Sequence, residues 1–372
     1  MSIEPQEVTN DLHDCETAHI PEDLEGFEEI HCSQQNFGIN NINTENEKYS
    51  SKCPNMSSNV AYISVQSFSE SQFESDFFQT LVYSHLPHHY LGELIGEGGF
   101  GRVYEVHSFK SKKKYAVKMV KTKSSFLLEY KLIMKTMMIS QEYFCKLYMA
   151  YCKSDGAFLV LSLEGSDLKS VMVSLPKKKF STHTLLRLAL QMLLAIEAFH
   201  QTGYVHQDIK LANFVLSNDS RSRIKMIDFG IAKKYKNSRG EIIPEDKYQK
   251  PKNYVGTLNY CSLRVHNLYH SSPRDDVESW LYCVIQTVDG KLPWHKQSNG
   301  DQNIIAKMKH DIRLWSREEL KQHKFHAFHK LFAIIDKWEY YDKVDYEYLK
   351  EFLKKLMVSN NIDYDLKYDW EK

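Results

Sequence analysis

Gly96-Glu97-Gly98-Gly99-Phe100-Gly101-Arg102-Val103 is the stretch on which the reading of this chain turns. Glycines at this spacing let backbone N–H groups approach a phosphate, because no Cβ intervenes. Alone, a GxGxxG spacing equally marks a dinucleotide-binding loop that opens into a helix. The neighbouring residues decide between the two: Val103, Tyr104, Glu105 and Val106 read as a β-strand, and so does the preceding run from Tyr90 to Gly96. The glycines are therefore expected at the tip of a β-hairpin. No GxxxxGK(S/T) spacing occurs, which removes the Walker-type loop.

Outward from the hairpin, a third strand is expected over Lys113–Val120, with Lys118 at its apolar centre in Ala116-Val117-Lys118. A lysine there is unfavourable without partners. Phosphate oxygens and a carboxylate from the next helix would serve. Phe126, Leu127, Tyr130, Ile133, Met134 and Met137 recur at helical spacing, and Glu129 lies among them. The bland alternative is a snorkelling Lys118 and a solvated Glu129. Two more strands flank Asp155-Gly156, a hairpin signal. After Gly165 long helices are expected over 182–200, 275–288 and 346–358. The fold class is thus α+β: a β-rich lobe of about 75 residues, a helical lobe of about 200, and a cleft where they join.

Two further motifs fall where that cleft is expected. His206-Gln207-Asp208-Ile209-Lys210-Leu211-Ala212-Asn213 follows the first long helix, and Asp228-Phe229-Gly230 follows the strand Arg223–Ile227. Asp208 can accept the proton of an attacking hydroxyl, and Lys210 can neutralise charge on a phosphate in transfer. Asn213 and Asp228 offer hard oxygens to magnesium. Taken alone, Asp-Phe-Gly is ordinarily a turn after a strand.

In this order and local context, the four motifs together resemble the eukaryotic protein kinase family from about Tyr90 to near the C-terminus. Gly256-Thr257-Leu258-Asn259-Tyr260-Cys261-Ser262, Arg274-Asp275-Asp276-Val277-Glu278-Ser279 and Leu292-Pro293-Trp294 resemble stretches of the casein kinase 1 group. The segment 159–168 resembles its tau-tubulin kinase branch in particular. The resemblance implies a bilobal fold with the active site between an N-lobe of 90–162 and a C-lobe of 165–372, inside a domain spanning 86–372. It implies a Ser/Thr protein kinase that uses ATP and Mg2+, with Asp208, Lys210 and Thr257 catalytic and Asn213 and Asp228 on the metal. ATP would contact Ile95, Gly96, Glu97, Gly98, Gly99, Phe100, Gly101, Arg102, Val103, Ala116, Lys118, Glu129, Leu161 and Leu163. Adenine would bind backbone groups around Ser162–Glu164, with Leu161 as gatekeeper. The alternative is a pseudokinase serving as a nucleotide-binding scaffold. Inactive members typically lose the strand lysine or one of the two aspartates, and here Lys118, Asp208 and Asp228 are all present.

Three residues depart from the family pattern. Gln207 stands where an arginine commonly pairs with a phosphorylated activation loop, and a neutral amide cannot form that charge-assisted pair. Asn259 replaces an arginine that helps the casein kinase 1 group bind primed substrates. Leu211 replaces a common proline and reads as a packing change.

Charge is divided unevenly along the chain. Its 372 residues carry 48 basic and 48 acidic side chains, yet residues 1–85 hold 15 acidic and two basic, and the remainder carries the compensating +13. Residues 1–58 are polar and aperiodic, so disorder is expected there, with a short amphipathic piece able to dock on the body within 60–85. Ser69 and Ser71 lie in acidic surroundings as candidate autophosphorylation sites, and the acidic segment could fold back over the basic substrate face. Between Ile231 and Val255 seven basic residues outnumber three acidic ones, consistent either with a solvated loop or with a preference for acidic protein substrates. Lys112–Lys114 and Lys177–Lys179 read as turn residues, so nucleic acid is not the expected partner. His323, His326 and His329 lack the companions of a metal site. Seven cysteines without a CxxC pair suggest reduced thiols, and no run of about 18 apolar residues suggests a membrane span. The expectation is a monomer in the cytoplasm, with the nucleus left open.

Overall fold

In the computed structural model, residues 84–371 are described, apart from 87, 100, 154–155, 247–249, 296–299 and 322–324. The expectations for the acidic segment before residue 84, including Ser69 and Ser71, lie outside the described residues, as do Phe100 and His323. Strands β1 (His89–Gly98), β2 (Gly101–Ser108), β3 (Lys114–Val120), β4 (Leu147–Lys153) and β5 (Gly156–Ser162) form an antiparallel sheet in the order β1-β2-β3-β5-β4. Residues paired across strands share a face, and the side-chain period is two. Val103, Lys118 and Leu159 are paired across three strands, and Glu105, Ala116 and Leu161 fall two residues away on the same face. The opposite face carries Tyr104, Val106, Tyr115, Val117, Met119, Phe158 and Val160, which pack with Leu86 in a separate apolar cluster. A one-residue slip would exchange these faces, so the apolar set fixes the register that points Lys118 inward.

Helix α1 (Lys123–Ile139) covers the lysine-bearing face. Thr122 caps it by accepting from the Ser125 N–H at 3.2 Å. Its buried stripe of Phe126, Glu129, Leu132, Ile133 and Thr136 sets Glu129 among apolar neighbours. The helical lobe comprises α2 (Leu168–Ser174), α3 (Thr182–His200), α4 (Leu263–His266), α5 (Pro273–Asp289), α6 (Gln302–Asp311), α7 (Arg317–Lys321), α8 (His326–Ile335) and α9 (Tyr346–Ser359). Two short ladders, β6 (Tyr204–Val205) with β9 (Lys233–Lys234) and β7 (Phe214–Leu216) with β8 (Ile224–Met226), lie between α3 and α4 along the chain. The three long helices expected from the sequence are α3, α5 and α9. Helix α5 is buried from Pro273 to Thr287, including Arg274, Asp275, Asp276 and Glu278, and Trp280 Nε1 donates to the Ala189 carbonyl of α3 at 2.9 Å. Charges so deep must have partners. No described helix is long and apolar enough to cross a membrane.

Candidate active site

The glycine stretch forms the tip between β1 and β2, with Gly96 opposite Val103, Glu97 opposite Arg102, and Gly98 opposite Gly101. Arg102 Nε donates to Glu97 Oε1 at 2.8 Å and pins the hairpin across its two strands. A Cβ on Gly101 would meet the Met119 carbonyl at 1.8 Å, whereas one on Gly98 or Gly99 would meet nothing within 4 Å. One glycine thus permits strand packing, and two leave open backbone. Ile95 is largely exposed and Ala116 is buried. Leu161, near the end of β5, and Leu163, just beyond it, are half-buried.

Lys118 is only 8% exposed, and its Nζ donates to Glu129 Oε1 at 2.5 Å and Asp228 Oδ1 at 2.9 Å. The snorkelling alternative is therefore overturned: the ammonium is directed inward between two carboxylates. Burial pushes the ammonium down, but Glu129 and then Asp228 outweigh it and the net shift is upward. Burial likewise pushes the Asp228 carboxyl up, and Lys118 more than reverses this, holding it below the usual carboxylate value. Both groups are charged near neutrality. This arrangement connects β3, α1 and the Asp-Phe-Gly turn through one ammonium.

Asp208 receives a converging set of donors. The Thr257 N–H lies 2.9 Å and its Oγ1 2.7 Å from Oδ1, while Lys210 Nζ donates to Oδ2 at 2.6 Å. Lys210 Nζ also donates to Thr257 Oγ1 at 3.2 Å. Asn213 Nδ2 donates to the Asp208 carbonyl at 2.8 Å, which fixes its amide plane and turns Oδ1 away from that bond. The oxygens of Asn213 and Asp228 suit a magnesium ion completed by phosphate and water, which needs no all-protein cage. No group of three or more His, Cys, Asp or Glu among the described residues could hold a metal. His329 Nε2 is instead 2.6 Å from the Ile312 carbonyl, as suits a histidine bound within the helical lobe.

Residues distant along the chain hold this loop in place. Asp276, in the first turn of α5, accepts from the backbone N–H of His206 at 2.6 Å and of Gln207 at 2.9 Å, and is 2.8 Å from His200 Nε2. Gln207 has a left-handed φ of 69°, and its Nε2 donates to Ser271 Oγ at 2.8 Å. Gly256, at φ 91°, passes so near that a Cβ would meet the Gln207 carbonyl at 2.1 Å. Its lack of a side chain is what allows Thr257 to reach Asp208. Phe229 is buried, stacked on Phe199 at 5.0 Å and near His206 at 5.8 Å, which anchors the turn bearing Asp228. Lys309 of α6, wholly buried, donates to the carbonyls of Leu258 at 2.8 Å and Cys261 at 2.7 Å. Trp294 Nε1 donates to the Asn259 carbonyl at 3.1 Å. Neither the hold of Asp276 on His206 and Gln207 nor that of Lys309 on Leu258 and Cys261 was legible in the sequence, because the partners are distant along the chain.

Residues 90–363 match the profile of the protein kinase domain. A Dictyostelium discoideum protein described as a probable serine/threonine-protein kinase is 28% identical over 281 residues, covering 74% of this chain and 55% of its own length. The serine/threonine-protein kinase spe-6 of Caenorhabditis elegans is 27% identical over 285 residues, 74% of each chain. The chain thus aligns with little more than half of the first of these relatives.

Proposed function

The chain belongs to the protein kinase domain family, and on that premise we propose that it is an active Ser/Thr protein kinase. It transfers the γ-phosphoryl group of ATP to a protein hydroxyl. The observation that carries this reading is the convergence of Lys210 and Thr257 on Asp208 while Lys118 bridges Glu129 and Asp228. Asp208 orients the attacking hydroxyl and accepts its proton; Lys210 balances charge on the phosphoryl group in transit; Lys118 holds phosphate oxygens. Asn213 and Asp228 are the residues that would hold magnesium, which supplies charge neutralisation on the phosphates when bound. Ile95, Val103, Ala116, Leu161 and Leu163 would bracket the nucleotide base, and the domain spans 86–372. The Ser/Thr assignment rests on Lys210 two residues after Asp208 and on the descriptions of the two relatives.

The casein kinase 1 likeness of residues 256–262 and 274–279 supports a place in that group. Lys234, Arg239, Lys250 and Lys252 are exposed in the activation segment, which supports acidic protein substrates, and the chain is proposed to act as a monomer. Radiolabelled MgATP transfer to acidic and basic generic peptides, by the wild-type chain and by Asp208→Asn, tests both statements. Acidic peptides should be preferred, and the variant should lose at least about 100-fold in kcat while retaining nucleotide binding. No transfer by the wild-type chain, or an unaltered rate in Asp208→Asn, would return the scaffold reading.

A further inference from the structure

The segment that joins the two lobes carries a buried ion pair outside the phosphoryl-transfer machinery. Lys225, in the middle of β8 and three residues before Asp228, is 2% exposed. Its Nζ donates to Glu164 Oε1 at 2.7 Å, and the Glu164 side chain is 5% exposed. Two more donors reach the same carboxylate: Ser162 Oγ at 2.6 Å on Oε1 and the Asn218 N–H at 3.0 Å on Oε2. Asn218 Nδ2 returns to the Leu163 carbonyl at 2.8 Å, and the Gly165 N–H donates to the Leu216 carbonyl at 2.7 Å. Asp219 Oδ2, 3.2 Å from Lys225 Nζ on a side chain 78% exposed, is a second, solvent-screened partner.

Burying a carboxylate and an ammonium costs several kcal/mol of desolvation, and an apolar pair of similar volume commonly holds a chain as firmly. What the ionic pair adds is direction. Bonds from β8, from the end of β5 and from the β7–β8 turn converge on one carboxylate, so the backbone of 162–164 cannot shift without breaking several at once. The strand to which it is tied ends at the Asp-Phe-Gly turn. A nucleotide spans both places, base at one end and phosphates at the other, and an error of about 1 Å in such a span can cost orders of magnitude in productive alignment.

We propose that Glu164 and Lys225 are positioning residues for the nucleotide: their buried pair locks the adenine-seating backbone of Ser162–Glu164 onto the strand that delivers Asp228. This role rests on the proposed use of MgATP. Glu164→Gln keeps shape but leaves Lys225 uncompensated, Lys225→Arg keeps the charge, and Glu164→Gln/Lys225→Met removes both charges together. Calorimetric binding of MgATP and of adenosine, melting temperature, and ATP kinetics are measured on each full-length variant. Glu164→Gln should weaken MgATP binding and raise KM for ATP by about tenfold, with kcat within about twofold, while adenosine, which need not reach the metal, loses less. Lys225→Arg should bind MgATP like the wild type. The neutral double variant should recover the wild-type melting temperature yet keep weakened MgATP binding. Wild-type MgATP affinity in the double variant, or equal losses for adenosine and MgATP, would reduce the pair to a structural strut and sink the inference. A wild-type chain that binds MgATP but transfers no phosphate overturns the proposed activity alone, because binding still decides the role of the pair. A wild-type chain that binds no MgATP overturns both.

Discussion

At Gly256 the backbone tolerates no side chain. Its φ of 91° is one that residues with a Cβ rarely adopt, and the added carbon would lie 2.1 Å from the Gln207 carbonyl. Gly256→Ala must therefore push the activation segment away from the catalytic loop and break the bonds from Thr257 to Asp208. Its kcat should fall by about tenfold or more, as the proposed proton-accepting role of Asp208 requires, with KM for ATP little changed, since no proposed nucleotide contact moves. Steady-state kinetics in both substrates check this; an unaltered kcat would show that Thr257 does not orient Asp208. Lys118 is a different case, in which local sequence left two readings open and burial selected one.

Helix α5 is the element on which the catalytic loop rests. Asp276→Ala would leave the buried N–H groups of His206 and Gln207 without their acceptor. That loss is expected to cost about 1–3 kcal/mol of unfolding free energy, read by chemical denaturation, and to lower kcat as well. A stability loss with full kcat would mean that the loop keeps its shape without this support. The activation segment and catalytic loop are held from several sides by the protein's own groups: Thr257 on Asp208, Lys309 on two carbonyls, Trp294 on Asn259, and Gln207 on Ser271. Phosphatase treatment should therefore leave the rate within about twofold, because a neutral amide makes no charge-assisted pair with a phosphate. A large drop would require a phosphate-binding partner other than Gln207.

For the whole molecule, acid stability is tied to His266, which is 9% exposed. Burial, and then the Lys309 ammonium, push its imidazole down to about 4 from the usual 6.5. Between those values the unfolded chain binds the proton more readily than the folded one, so stability falls as pH falls through that window. Melting temperature should decline from pH 6.5 towards 4, and His266→Phe should flatten the decline relative to wild type. Parallel declines in the two proteins would assign the acid sensitivity to other groups.

The sequence alone determined the order of strands and helices and the hairpin carrying the glycines, and it placed Asp208, Asn213 and Asp228 in short motifs. Those features are local: strand alternation, helical spacing and glycine conformation act over a few residues, and a motif keeps its chemistry together along the chain. The tertiary structure decided the direction of Lys118, the support of Asp276 beneath His206 and Gln207, the grip of Lys309 on the activation segment, and the pairing of Glu164 with Lys225. Each joins residues far apart in the chain, and at each a charged side chain is buried. Whether a buried charge is tolerable depends on a partner that only the packed fold brings within hydrogen-bond reach.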